Sequence, residues 1–82
     1  MMDRKEIEQK VKEILADRLD IDIEKIKLDS DLVDELGMDS FIAVELMFEL
    51  KEKLGINVSE KEFSNIGTVR DIVNFIRKNR AK

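Results

Sequence analysis

The sequence predicts an all-α fold: a four-helix bundle with a long loop between the first and second helices and a short third helix. Three observations predict it. The 82 residues contain no proline and 41% of them are charged, which suits helices with solvated faces better than strands. Apolar residues recur at three- and four-residue spacing in separate segments. Capping sequences open those segments, and glycines stand where two of them must stop. A chain this short forms one domain, residues 1–82, with room for one modest core. With four Phe and no Trp or Tyr, that core is built of Ile, Leu, Val and Met.

The first helix runs from about Arg4 to about Leu19. Asp3 is its N-cap, and Glu6 stands where a capping box needs it. Ile7, Val11, Ile14 and Leu15 form one apolar stripe, with Lys and Glu on the other face. From about Asp20 to Asp39 the chain reads as a long connection carrying Ile21, Ile23, Ile26, Leu28, Leu32, Val33 and Leu36. A loop of that length packs its own apolar residues or is functional. A helical turn is expected within Asp31–Leu36, with Gly37 supplying a positive φ after it. The second long helix starts at Ser40 and ends near Leu54, with Gly55 as its stop. A third, short helix follows Ser59, where Ser59-Glu60-Lys61-Glu62 is a capping box and Phe63 and Ile66 give an apolar side. The last helix runs from Val69 to about Asn79, capped by Thr68 with Asp71, and buries Val69, Ile72, Val73 and Ile76.

Composition excludes several functions. Without Cys there is no disulfide framework and no thiolate metal site. Without His there is no imidazole base, no Ser-His-Asp triad and no imidazole metal ligand. Carboxylates are abundant, but no nucleophile pair or phosphate-binding glycine loop accompanies them, so an enzyme is not expected. Asp29-x-Asp31 begins like a calcium loop, but Val33 takes the third ligand place and Asp34 the place of the required glycine, which rules that site out. The charged start MMDRKEIEQK has no apolar signal core and no apolar run matches a membrane span, so a soluble cytoplasmic protein is expected. Asn57-Val58-Ser59 matches a glycosylation acceptor in form, and reads as the approach to the third helix.

Charge is unevenly placed. The net charge is −4, yet from Leu28 to Leu50 there are seven acidic residues and no Lys or Arg. Nucleic acid is not an expected ligand, because this block would repel phosphates. The block is either a solvated acidic loop or a docking surface for a basic protein partner.

The helix from Ser40 has two apolar faces. Ala43, Leu46, Met47, Leu50 and Leu54 share one, an ordinary core stripe at about 100° per residue. Phe41, Val44 and Phe48 lie on roughly the opposite face, flanked by Glu45 and Glu52, and Ile42 sits between. A small domain buries one side of such a helix well. The second stripe is therefore either a partly exposed protein-binding surface, or it is hidden under the folded Asp20–Asp39 connection. Leu46, Leu50, Ile72 and Ile76 are expected to line the interior between the second and fourth helices.

Gly37-Met38-Asp39-Ser40 sits at the junction of acidic loop and helix. A Ser at a helix start is in general a cap. Here Asp39 can cap, and Ser40 would be the first helical residue with its hydroxyl pointing outward. This stretch resembles the Gly-x-Asp-Ser attachment motif of the acyl carrier protein family. Asp29-Ser30-Asp31-Leu32, Val44-Glu45-Leu46 and Ile66-Gly67-Thr68-Val69-Arg70-Asp71-Ile72-Val73 are similar to that family too, so the resemblance covers about Asp3 to Lys78. It implies an acyl-carrier-type bundle and a 4′-phosphopantetheine arm taken from coenzyme A and joined to Ser40, next to Asp39, by a phosphodiester. It also implies acyl cargo held as thioesters, with no catalysis by the carrier. The implied partners are a phosphopantetheinyl transferase and acyl-loading and acyl-processing enzymes with basic docking surfaces, meeting a monomer. They would grip Asp39, Phe41, Val44, Glu45, Phe48 and Glu52, and an acyl chain would enter among Leu46, Met47, Leu50, Ile72 and Ile76. Met47 is flexible enough to yield space.

Four positions depart from the family's usual pattern. Phe41 replaces a common Leu, Ile42 a polar residue, Ser59 a Pro and Gly67 a Thr. Phe41 and Ile42 stand beside the attachment site, as a specialised carrier dedicated to one pathway would show. An aminoacyl, peptidyl or D-alanyl carrier shares the motif and differs in cargo. A cofactor-free helical interaction module would explain the second stripe but leaves Asp39-Ser40 without a purpose.

Overall fold

The computed structural model describes residues 3–80. Positions 1, 2, 81 and 82 of the expected 1–82 domain lie outside the described residues. The elements are α1 (Arg4–Leu19), a 3-10 turn (Ile23–Lys25), α2 (Ser40–Leu54), α3 (Glu60–Phe63) and α4 (Val69–Arg80). Among the described residues no strand forms, and one isolated antiparallel bridge joins Asp31 to Thr68. No helix among them is long and apolar enough to cross a membrane.

Local signals account for the helix ends. The Asp3 carboxylate accepts the Glu6 N–H at 2.9 Å and opens α1. Asp20 closes α1 in the left-handed region at φ 56, which Asp tolerates better than most residues. Gly55 ends α2 at φ 68, and its N–H returns to the Lys51 carbonyl at 3.0 Å. Ser59 and Glu62 form the reciprocal capping box of α3. Thr68 Oγ1 accepts the Asp71 N–H at 3.2 Å, while Asp71 Oδ2 accepts the N–H groups of Gly67 and Thr68. These backbone bonds, the one from Gly67 foremost, hold the Asp71 carboxyl below its ordinary range.

The core unites the expected stripes: Ile7, Val11, Ile14 and Leu15 of α1, Leu46, Leu50 and Leu54 of α2, and Val69, Ile72, Val73 and Ile76 of α4. Burying each such side chain contributes about 1.5–3 kcal/mol. The α1 backbone approaches both α2 and α4, whereas no described Cα of α2 comes within 8 Å of one in α4.

The long connection is ordered by three devices. Ile26, Leu32 and Met38 are buried in the core. The stretch 28–32 pairs with the start of α4 through Leu32 N–H to Gly67 O (2.9 Å), Val69 N–H to Ser30 O (3.2 Å) and Arg70 N–H to Leu28 O (2.8 Å). The expected turn at Asp31–Leu36 is present as hydrogen-bonded turns, with Glu35 and Leu36 N–H donating to the Asp31 carbonyl, and does not lengthen into a helix. The 3-10 turn at Ile23–Lys25 was outside the sequence reading, which took Asp20–Asp39 as a connection with one turn.

Candidate functional site

The loop from Asp31 is built to deliver the start of α2. Leu32 and Met38 anchor its two sides in the core, and the Met38 N–H donates to the Leu32 carbonyl at 2.9 Å. Between them Gly37 turns the chain at φ 78. A Cβ there would meet nothing within 4 Å, so the demand for glycine is one of backbone conformation. Asp39 follows in extended conformation as the N-cap. Its carboxylate accepts the Ile42 N–H at 2.9 Å and its carbonyl accepts the Ala43 N–H at 2.9 Å. Ser40 is then the first helical residue. It is exposed, and its hydroxyl makes no hydrogen bond among the described residues. A nucleophilic oxygen thus stands free at the positive end of a fifteen-residue helix, where an attached phosphate would be favoured. These residues fit a phosphodiester-linked arm.

The second apolar stripe of α2 is uncovered. Phe41 is 71% exposed, Val44 41% and Phe48 66%. Val33, 62% exposed on the acidic loop, joins the exposed apolar side chains. The long connection spends Ile26, Leu32 and Met38 on the core and leaves this face open. Glu52 is exposed, whereas Glu45 is half-buried and held in an ion pair.

That ion pair belongs to a group that the sequence reading missed. Arg18, in the last turn of α1, reaches Glu49 Oε1 with Nε at 2.5 Å and Glu45 Oε2 with a terminal nitrogen at 3.2 Å. Lys53 Nζ lies 2.8 Å from the other oxygen of Glu49. Glu49 is only 7% exposed. Burial pushes its carboxyl up, but the hydrogen bonds from Lys53 and Arg18 outweigh burial and hold it below the ordinary carboxylate range. The same contact raises Arg18 and Lys53. A signal was available: Glu49 comes three residues after Leu46 and one before Leu50, at the edge of the core stripe, and a carboxylate there needs a cation.

Leu46, Leu50, Ile72 and Ile76 are all buried members of the core cluster. Met47 is half-buried at its edge, and it also lines a cleft of about 290 Å³ with Val44, Phe48, Lys51, Asn57, Val58 and Glu60. Among the described residues no group of three or more His, Cys, Asp or Glu is disposed to hold a metal ion.

Comparison with known proteins agrees with this arrangement. Residues 9–76 match the family described as "Phosphopantetheine attachment site". An acyl carrier protein of Clostridium acetobutylicum is 42% identical over 69 residues, which is 84% of this chain and 90% of the relative. One from Buchnera aphidicola subsp. Acyrthosiphon pisum is 41% identical over 78 residues, 95% of this chain and 98% of the relative. A solved structure from Mycobacterium tuberculosis, assigned as an acyl carrier protein, superposes with a TM-score of 0.81 at 29% identity, covering 88% of this chain and 96% of its own.

Proposed function

The chain belongs to the phosphopantetheine-binding acyl carrier family, and from that membership we propose that Ser40 is the residue that bears the arm. The protein is a carrier of acyl intermediates on 4′-phosphopantetheine and not an enzyme. Family membership sets aside the cofactor-free interaction module, and nothing favours aminoacyl, peptidyl or D-alanyl cargo.

One observation carries the assignment of Ser40: an exposed, unbonded hydroxyl at the first helical position, behind a neighbour that has taken over the cap. The division of labour matters. Asp39 satisfies the helix, so Ser40 Oγ is available to attack the coenzyme A phosphorus that bears the pantetheine. The bond to the nucleotide phosphate breaks, and the serine proton passes to a base on the transferase. The α2 N-terminus then faces the resulting phosphodiester anion. When attached, the arm supplies the thiol that this Cys-free chain lacks. The chain's own residues supply presentation: a core-anchored loop, a fixed helix start and an apolar surface beside it.

Partner enzymes are proposed to meet the exposed stripe Phe41, Val44 and Phe48 and the acidic loop ending at Asp39, using basic residues of their own. The reading of residues 1–82 as one carrier domain belongs to the same proposal. Its support is the single shared core.

The test is intact mass after incubation with coenzyme A and a broad-specificity phosphopantetheinyl transferase. The native chain gains one arm. Ser40→Ala keeps its helical circular dichroism, because Asp39 retains the cap, and gains no mass. Uptake of an arm by Ser40→Ala would overturn the assignment.

A further inference from the structure

The fold treats the seven carboxylates between Leu28 and Leu50 unequally. Asp29 is paired with Arg70, at 3.0 Å. Glu45 and Glu49 are paired with Arg18, and Glu49 also with Lys53. The remaining four, Asp31, Asp34, Glu35 and Asp39, have no cationic partner among the described residues. They follow one another along the loop that delivers Ser40. Asp31 accepts the N–H groups of Val33 and Asp34, Glu35 accepts that of Asp31, and Asp39 accepts that of Ile42. Such bonds orient a carboxylate without cancelling its charge.

Arg18 makes the difference on α2. It crosses from α1 and spans two carboxylates one helical turn apart. A carboxylate with a guanidinium about 3 Å away presents a dipole to an approaching protein, and a dipole's field fades faster with distance than a charge's. The partly exposed Glu45, beside the apolar stripe, is therefore quiet at encounter distance. Lys51 and Lys53 offset the acidic residues of the later turns.

We infer that Arg18 masks Glu45, so that the charge a partner reads is confined to the loop residues Asp31, Asp34, Glu35 and Asp39, while α2 docks as a nearly neutral apolar helix. The partner that fits is a protein with its basic residues gathered at the mouth of the site receiving Ser40, and an apolar groove for Phe41, Val44 and Phe48 beyond them. A second copy of this chain does not fit, because the two acidic loops would repel. The inference rests on Ser40 being the attachment point and adds which charges guide a partner there.

The test is association kinetics with the broad-specificity transferase as the probe, at several ionic strengths. Electrostatic steering spreads a gain of about a thousandfold over roughly five to ten charges, about twofold to fourfold each. Asp34→Asn and Glu35→Gln each slow association by about that factor at low salt, and Glu45→Gln slows it by much less. The paired change Arg18→Gln/Glu49→Gln leaves the net charge unchanged and leaves no buried carboxylate without its arginine. It exposes Glu45 and raises the association rate by about twofold to fourfold. Adding Glu45→Gln, or high salt, removes the gain. Glu45→Gln slowing association as much as Asp34→Asn overturns the inference, as does a folded paired variant with an unchanged rate. Should the paired variant not fold, the comparison of Glu45→Gln with Asp34→Asn in the native background decides. Failure of the native chain to accept an arm would instead strike the assignment of Ser40, so the two failures are distinguishable.

Discussion

At the start of α2 the cap and the free hydroxyl sit on neighbouring side chains, and a similar division holds along the helix. Leu50 and Phe48 are two residues apart, yet one is buried in the core and the other stands 66% exposed. Leu50→Ala should cost about 2–5 kcal/mol, from lost transfer energy plus the cavity left behind. Phe48→Ala should change stability by no more than about 0.5 kcal/mol and instead raise the dissociation rate of a bound partner, since burial of the ring counts only after encounter. Denaturant titration and binding kinetics on the two variants check both halves. The two-faced pattern of α2 was legible in the sequence, but its resolution was not. Ile26, Leu32 and Met38 are apolar whether they cover the second stripe or fill the core. Only the three-dimensional closure of the loop decides that they fill the core.

Among the elements, α1 touches both of its long neighbours, and Arg18 is its polar link to α2. The Glu49 carboxyl ionises below its ordinary 4.5 in the folded chain. Its pairing therefore contributes stability that is present above that value and is lost as pH falls through the folded pKa. Between neutral pH and about pH 3, the urea midpoint of the native chain should fall further than that of Glu49→Gln. Asp71, shifted in the same direction, is common to both proteins, so the difference isolates Glu49. The helix limits and caps were legible because they rest on signals within four residues. The contact of Arg18 with Glu49 spans 31 positions and the bridge from Asp31 to Thr68 spans 37. No local pattern announces either. The 3-10 turn at Ile23–Lys25 escaped because its N-cap Asp22 makes no side-chain capping bond.

Across the whole molecule, the pairing of residues 28–32 with the start of α4 closes the long connection onto the bundle. The amides of Leu32, Val69 and Arg70 should therefore exchange with solvent more slowly than those of the exposed turn at Val33 and Asp34, and nearer to core rates. Hydrogen exchange read by NMR checks this, and equal rates would mean that the loop opens by itself. The molecule measures 31 × 26 × 20 Å, several times the screening length of about 8 Å at physiological ionic strength. Arg77 and Lys78, exposed near the far end of α4, stand about 12 Å along the helix axis from its loop-paired start at about 1.5 Å per residue, so they and the acidic loop are felt as separate regions. The four phenylalanines divide the same volume into outside and inside. Phe41 and Phe48 face solvent on the uncovered stripe of α2, Phe63 is buried and Phe75 packs partly against the core. Fluorine-labelled phenylalanine would place four resonances in an otherwise silent spectrum. Two of them would register a visitor on the surface, and two would register any swelling of the interior when cargo is loaded.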